Sequence, residues 1–175
     1  ALFDDQKGGY EAVQYIIEQG HTKFGCVSSP LHNSTGRARL EGYMQAMFDS
    51  NLPVNKDYLY EGDYRFWSGY EAAAKLMETT TAAFVCNDMM AMGFLRFLFE
   101  KNITVPDAYS IVSYDDVVAP YLINIDLCSV RQTVEDLGDT AFDMLVSRLE
   151  KKRESSIESV LLPKLIKRNS VKVIL

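Results

Sequence analysis

The feature that most constrains the fold is the make-up of the short apolar runs. The runs Phe24–Val27, Ala82–Cys86 and Tyr109–Val112 consist almost entirely of apolar residues instead of alternating them with polar ones. Strands of this composition are buried on both faces of a sheet. Segments with helical spacing of apolar residues alternate with the runs, at 8–20, 37–50, 67–78, 88–101 and 134–150. The pattern predicts an α/β fold with a doubly wound parallel sheet.

The charge balance argues against a nucleic-acid surface on this chain. Proteins that hold nucleic acid present clustered Lys and Arg side chains to the phosphates. This chain has a formal net charge of -6, and its longest basic run is Lys151–Arg153. If the protein binds DNA, we therefore expect another segment to do so.

Cysteine use and hydropathy bear on the compartment. Cys26, Cys86 and Cys128 lie far apart and form no C-x-x-C pair. We expect three buried thiols in a reducing compartment, which indicates a cytoplasmic protein. No apolar run is long enough to span a membrane, so we expect no membrane partner.

Motifs typical of catalysis are missing from the sequence. It contains no G-x-S-x-G, no phosphate-binding loop and no G-x-G-x-x-G, and His21 and His32 lack the spacing of metal ligands. We therefore expect no enzyme activity, no cofactor and no metal ion.

Polar residues collect after the predicted strands. Ligands of parallel sheets bind beyond the carboxyl ends of the strands. A further strand is predicted at Tyr58–Tyr60, and five polar or aromatic residues follow the four strands in this way: Asn33, Thr35, Tyr64, Asn87 and Asp115. Arg39 lies in the first turns of a helix, where the helix dipole does not favour a cation, so we expect it to have a specific partner. Planar polar groups pair with vicinal hydroxyls and aromatic rings stack on sugar faces, so the set predicts a polyol site.

Some of these positions have structural alternatives. Asn87 and Asp88 precede a predicted helix, and either side chain could cap it. We interpret Asp88 as the cap and leave both roles open for Asn87. Asp115 and Asp116 could form a turn, but the place of Asp115 at a strand end favours a functional role.

The same segments resemble a known family. Seven of them match motifs of the lactose/galactose-repressor (LacI/GalR) family in the family's order, and in detail they are most similar to its purine-repressor branch. They are D-D-Q-K-G-G at 4–9, G-H-T-K at 20–23, R-L-E-G-Y at 39–43, G-D-Y and S-G-Y within 62–70, C-N-D-M-M-A-M-G at 86–93, V-P-D and I-V-S-Y-D-D within 105–116, and L-L-P-K-L-I-K-R-N-S at 161–170.

The resemblance implies a periplasmic-binding-protein-like (type I) fold with two lobes, the first of them incomplete in this chain. The expected division is the end of the N-terminal lobe at 1–20, the C-terminal lobe at 21–117, a return to the N-terminal lobe at 118–150, and a closing segment of the C-terminal lobe at 151–175. The implied function is effector sensing by a repressor. A small molecule in the cleft would control operator DNA binding by a helix-turn-helix outside this chain, and the protein would act as a homodimer.

Carried over position by position, the resemblance implies that Arg39 binds the effector through its guanidinium group. It also implies that Asp115 accepts hydrogen bonds from hydroxyl groups or a ring nitrogen of the effector. Tyr64 matches a stacking aromatic residue, and Asn87 matches an asparagine that contacts sugar hydroxyls. The remaining implied contacts are Thr35, Asn33 and Asp4. Purine sensors tend to carry a base-reading arginine where this chain has Asn33, so we expect a sugar or sugar derivative.

Two positions depart from the family pattern. Ser113 stands where a glycine is usual, and Ile125 stands where a proline is usual. Both departures affect the expected shape of the loop that follows the strand ending near Asp115.

Two other classes of protein compete with this interpretation. A transport-type sugar-binding protein would have the same fold, but it would need an export signal and would lack the motif at 161–170. An enzyme of flavodoxin-like topology would use Asp115 and Asp116 as paired carboxylates. Adjacent residues of a strand point to opposite faces, which disfavours that pairing.

Overall fold

The computed structural model describes residues 1–150 and 157–174 of the chain. The strands are β1 (Leu2–Phe3), β2 (Phe24–Ser28), β3 (Leu59–Glu61), β4 (Ala82–Val85), β5 (Ser110–Asp115), β6 (Cys128–Arg131), β7 (Val160–Leu161) and β8 (Lys164–Ile166). The helices are α1 (Asp5–Glu18), α2 (Ser34–Asp49), α3 (Phe66–Leu76), α4 (Asp88–Glu100) and α5 (Val134–Leu149), and single 3-10 turns lie at Lys56–Tyr58 and Ala119–Tyr121.

Six strands form the main sheet, in the order β3-β2-β4-β5-β6-β8. Neighbouring strands are parallel except β8, which runs antiparallel to β6. β1 and β7 pair separately as a parallel two-stranded sheet. This arrangement confirms the predicted doubly wound α/β fold.

Helices cover both faces of the main sheet. α1 packs on α2, and α3 packs on α4. The Tyr43 ring of α2 contacts the ring of Phe24, whereas Leu76 of α3 lies against Gly25. Adjacent residues of a strand point to opposite faces, so α2 and α3 lie on opposite sides of the sheet.

The core lies between these layers. Every residue of β2 and β4 is buried, which matches the continuous apolar runs in the sequence. Cys26, Cys86 and Cys128 are buried free thiols, as predicted from their apolar surroundings.

The first helix begins earlier than its sequence pattern predicted. The expected start was Gly8-Gly9, but α1 begins at Asp5, because the Asp4 side chain caps it by accepting from the backbone N–H of Lys7 at 2.9 Å. The two glycines lie inside the helix instead. A Cβ on Gly8 would collide with Tyr114, and one on Gly9 with the backbone of Arg39.

Two features of the packing bear on the expected division into lobes, which stays a prediction. α1 packs on α2 and on the main sheet, so most of 1–20 belongs with the larger unit. β6 pairs with β5 in the main sheet, so Cys128–Arg131, which the sequence analysis placed in the other lobe, lies beside the strand that ends at Asp115. β8 lies in the main sheet, whereas β7 pairs with β1. Residues 151–156 of the predicted closing segment lie outside the described residues.

The helix that follows β6 stands apart from the core. α5 has no buried residue, and Val134, Phe142, Leu145 and Leu149 are exposed apolar side chains on it. An apolar face of this kind ordinarily packs against another element.

Candidate functional site

The site lies where the strand order of the sheet reverses. β2 and β4 are neighbours in the sheet, and the chain leaves β2 toward β3 on one side and β4 toward β5 on the other. Connections that diverge in this way open a crevice beyond the carboxyl ends of the two strands, where ligands of such sheets bind. Three of the residues predicted from the sequence, Arg39, Asn87 and Asp115, lie at this end of the sheet.

Arg39 occupies the centre of the crevice. The residue is 5% exposed. Its Nε donates to Asp5 Oδ1 at 2.8 Å, and its Nη1 donates to the Cys86 carbonyl at 2.5 Å and to Asp115 Oδ1 at 3.4 Å. The guanidinium carbon lies 3.7 Å from the centroid of the Tyr114 ring, a cation–π distance. Arg39, on α2, therefore contacts α1, β5 and the residue that follows β4.

Burial and charge act in opposite directions on the Arg39 guanidinium. Burial disfavours its charged form, but the charges of Asp5 and Asp115 more than offset this and raise the pKa of Arg39. Arg39 is therefore a fixed cation at the base of the crevice.

Asp5 is a site residue that the sequence did not reveal. It is buried, and its Oδ1 accepts from Gln132 Nε2 at 3.1 Å as well as from Arg39. In the sequence it is the second residue of an Asp-Asp pair beside a predicted helix start, where a cap is the ordinary interpretation. Asp4, which was predicted to contact the effector, is the residue that caps α1. The pairing of Asp5 with Arg39 depends on how α1 packs on α2, which local sequence does not show.

Asp115 ends β5 in a conformation that non-glycine residues seldom adopt. Its φ is 100°, and the φ of Asp116 is 59°. Burial raises the pKa of Asp115 to about 6, because the nearby Arg39 guanidinium only partly offsets the loss of solvation and Asp88 adds a like charge. The Asp115 side chain is 30% exposed, so it is the accessible acceptor of the site.

Asp88, the first residue of α4, fixes the turn after β5 through hydrogen bonds. Its Oδ2 accepts from the backbone N–H groups of Val117 and Val118 at 2.7 and 2.8 Å, and its Oδ1 accepts from the Ser113 hydroxyl at 2.6 Å. Asp88 was predicted to cap the helix, but the structure gives it this role in the loop instead.

The neighbouring aspartate, Asp116, points away from the Arg39 crevice. Its side chain is fully buried and forms ion pairs with Arg131 at 2.6 Å and with Arg168 at 2.6 Å. The structure thus separates the two aspartates: Asp115 faces Arg39, and Asp116 binds the two arginines. This separation agrees with the expectation that the two carboxylates do not share a site.

Asn87 is the cap of α4 and also joins the rim of the crevice. Its Oδ1 accepts from the backbone N–H of Met90 at 2.9 Å, and its Nδ2 donates to the Tyr64 carbonyl at 3.2 Å. The Tyr64 hydroxyl lies 3.0 Å from the Thr35 hydroxyl, and Tyr64 has a φ of 67°. Asn33 occupies the N-cap position of α2 but makes no capping bond through its side chain. The structure therefore brings Thr35, Tyr64 and Asn87 together as one side of the rim.

Other chemistry finds little support in the part of the chain that the structure describes. No group of three or more His, Cys, Asp or Glu side chains there is placed to hold a metal ion. His21 is buried between the Thr81 hydroxyl and the Lys172 carbonyl. No described helix combines the length and hydropathy needed to cross a bilayer.

Comparison with known proteins identifies the family of this fold. The model of the periplasmic binding protein-like domain matches residues 13–171. The HTH-type transcriptional repressor PurR of Escherichia fergusonii is 38% identical over 168 residues, which cover 94% of this chain and 49% of that protein. The chain thus spans about half the length of the curated relatives it matches.

Solved structures of regulators share the fold. A LacI family transcriptional regulator from Enterococcus faecium with bound ribose matches with a TM-score of 0.90 and 28% identity, over 100% of this chain and 66% of that one. The transcriptional regulator CelR in complex with cellobiose matches with a TM-score of 0.90 and 29% identity, over 97% of this chain and 53% of that one. This chain belongs to the periplasmic binding protein-like domain family and, within it, to the effector-binding domains of LacI/GalR-type transcriptional regulators.

Proposed function

We propose that this chain is the effector-sensing part of a bacterial repressor that acts in the cytoplasm. It binds a sugar or sugar derivative between Arg39 and Asp115 and controls operator binding by a helix-turn-helix that lies outside the chain. The observation that carries the proposal is the position of Arg39, which is buried at the switch point of the sheet and held by three residues, Asp5, Cys86 and Asp115. The buried Arg39 and the partly exposed Asp115 together offer a hydrogen-bond donor and an acceptor to one ligand.

The chemistry of the rim supports a polyol. Asp115 accepts hydrogen bonds, Asn87 and Thr35 can donate and accept them, and Tyr64 supplies an aromatic ring. Vicinal hydroxyls need donors and acceptors in alternation, and the apolar face of a pyranose needs a ring. Two structural neighbours were solved with ribose and with cellobiose bound, which favours the same class here.

Control of DNA binding would come from closure of the crevice. The exposed apolar face of α5 and the short sheet of β1 and β7 are what a second lobe would cover. An effector that bridges two lobes favours one closure angle, and that angle sets the spacing of distant DNA-binding heads. The relatives are named as HTH-type repressors, which supports a helix-turn-helix in the complete protein.

The proposed homodimer has a candidate surface on α4. A groove of about 500 Å³ lies between α4 and the loop that follows the turn at Ala119–Tyr121. Its wall includes Phe99, which is 71% exposed, and Ile123, which is 96% exposed. Helix-turn-helix repressors bind two-fold sites as dimers, so we propose that a second copy covers this apolar groove.

The proposed ligand site is tested by titrating the full-length protein with a panel of neutral sugars that includes ribose and cellobiose. For the best ligand, Tyr64→Leu should weaken binding by about tenfold or more, because it removes the stacking ring and the hydroxyl. Tyr58→Leu is the matched control. Tyr64 follows the carboxyl end of β3, whereas Tyr58 precedes the other end of this strand. Equal affinities of the two variants would contradict the proposed site.

A further inference from the structure

The charges around Arg39 restrict what the crevice can accept. Arg39 forms ion pairs with Asp5 at 2.8 Å and with Asp115 at 3.4 Å. The Asp5 side chain is 9% exposed and the Asp115 side chain is 30% exposed. One cation therefore faces two carboxylates, and the ligand approaches from the side of Asp115.

Asp5 is held firmly in this arrangement. Gln132 Nε2 donates to the same carboxylate oxygen that accepts from Arg39. Asp5 also lies in the first turn of α1, and the N-terminus of a helix stabilises negative charge. These contacts hold the Asp5 carboxylate in place beside Arg39.

Among the described residues, no cation besides Arg39 offsets the negative charge of Asp115. Arg131 and Arg168 pair with the buried Asp116 instead. Asp88, the other carboxylate near Asp115, adds negative charge. When Asp115 is ionised, the group of Arg39, Asp5 and Asp115 therefore carries a net negative charge.

This balance separates two kinds of ligand. A hydroxyl group can donate to Asp115 and accept from Arg39 without displacing Asp5. A phosphate or carboxylate would meet a net negative group and would have to compete with a buried carboxylate for the guanidinium, which opposes its binding.

We propose that Asp5 is a specificity-determining residue, which reserves the crevice for uncharged polyols and excludes phosphorylated or carboxylated ones. This inference rests on the proposed function, since it concerns the effector of the same site. It adds the charge class of the effector and the residue that sets that class.

The test uses inorganic phosphate as the probe and the full-length protein at pH 8, where Asp115 is ionised. Isothermal titration should detect no saturable binding of phosphate to the wild type. The Asp5→Asn variant keeps the size and one acceptor oxygen of the side chain but loses its charge. It should bind phosphate about tenfold or more tightly than the wild type, and adding Arg39→Gln should abolish the gain.

The matched control is Glu11→Gln, which makes the same change of charge on the exposed side of the same helix. It should leave phosphate binding as in the wild type. The inference is overturned if Asp5→Asn and Glu11→Gln behave alike, or if the wild type already binds phosphate through Arg39. The phosphate titration can be carried out without knowing the effector. Its result therefore does not depend on whether the protein binds the sugar proposed above.

A second measurement needs no variant at all. Wild-type protein is titrated with ribose against ribose 5-phosphate, and with glucose against glucose 6-phosphate, in the presence of the best neutral ligand. Competition by the neutral sugar of either pair, and none by its phosphate ester, supports the inference. Stronger competition by a phosphate ester overturns it.

Discussion

The Ser113 hydroxyl donates a hydrogen bond to Asp88 Oδ1 at 2.6 Å and so ties the end of β5 to the first turn of α4. Ser113 is the position at which this chain departs from the family's usual glycine, and the structure gives the departure a role. The same carboxylate accepts from the N–H groups of Val117 and Val118. The turn that carries Asp115 is therefore fixed by a buried side chain on α4.

Replacement of this buried carboxylate should be costly. The Asp88→Ala variant would remove the oxygen that accepts from two backbone N–H groups and the oxygen that accepts from the Ser113 hydroxyl. We expect a loss of about 2–4 kcal/mol in the free energy of unfolding, measured by urea denaturation. The exposed Asp57→Ala is the control and should change that free energy by less than about 0.5 kcal/mol. Equal losses in the two variants would show that the Asp88 contacts are not energetically significant.

Much of the fold could be predicted because its signals are local. The continuous apolar run at Phe24–Val27 predicts a strand buried on both faces, and β2 is such a strand. The ends of the helices were harder to predict. Gly8 and Gly9 suggested a helix start, but their role is to allow close packing of α1 on its neighbours, which is a tertiary property.

The site was predicted in part for the same reason. The rule for strand ends selected Asn87 and Asp115, because the carboxyl ends of their strands meet at one edge, and the helix-dipole argument singled out Arg39. Neither selected Asp5, whose place in the crevice depends on the packing of one helix on another. The roles of Asp88 and Asp116 were also hidden, since their partners lie on other elements.

Effector binding should depend on pH through Asp115. Its pKa in the folded protein is about 6, above the ordinary value of 3.8. The carboxylate is thus increasingly protonated as the pH falls below about 6, and it then loses its strength as an acceptor. Affinity for a neutral sugar should therefore decrease from pH 7 to pH 5 in titration calorimetry. Asp115→Asn should bind more weakly at pH 7 and lose most of this pH dependence; an unchanged pH profile would contradict the assignment.

The same shift has the opposite sign for stability. Because the folded state binds this proton more tightly than the unfolded state, Asp115 contributes stability at low pH. That contribution is complete below about pH 4 and is lost as the pH rises through 6. The difference in unfolding free energy between wild type and Asp115→Asn, measured by urea denaturation across this range, should show that slope.

The packing of α3 on α4 depends on Gly93. A Cβ on Gly93 would collide with the carbonyl of Phe66, so Gly93→Ala would force α3 and α4 apart. We expect a loss of about 2 kcal/mol or more, read from the midpoint and slope of urea denaturation. Gly138→Ala on α5 is the matched control, because an added Cβ there meets nothing within 4 Å in the described chain. It should be neutral or slightly stabilising, and a Gly93→Ala variant that behaves like it would disprove the tight contact.

The proposed dimer surface is open to a charge test. Ile123→Glu places a carboxylate in the apolar groove beside α4, and burial of an unpaired charge in an interface is unfavourable. Sedimentation of the full-length variant should show a monomer, or a dimer that dissociates at much higher concentration than the wild type. Val54→Glu introduces the same charge at a partly exposed position that does not line the groove and should leave the dimer intact. A dimer of unchanged affinity in Ile123→Glu would assign the interface to another surface.

The most direct test of the central claim is the operator affinity of the full-length protein, measured with and without its effector, in wild type and in Asp115→Asn. We expect both proteins to bind operator equally well without effector, and we expect the variant to need about tenfold or more effector to change that affinity. A variant that responds at the same effector concentration as the wild type would contradict that claim.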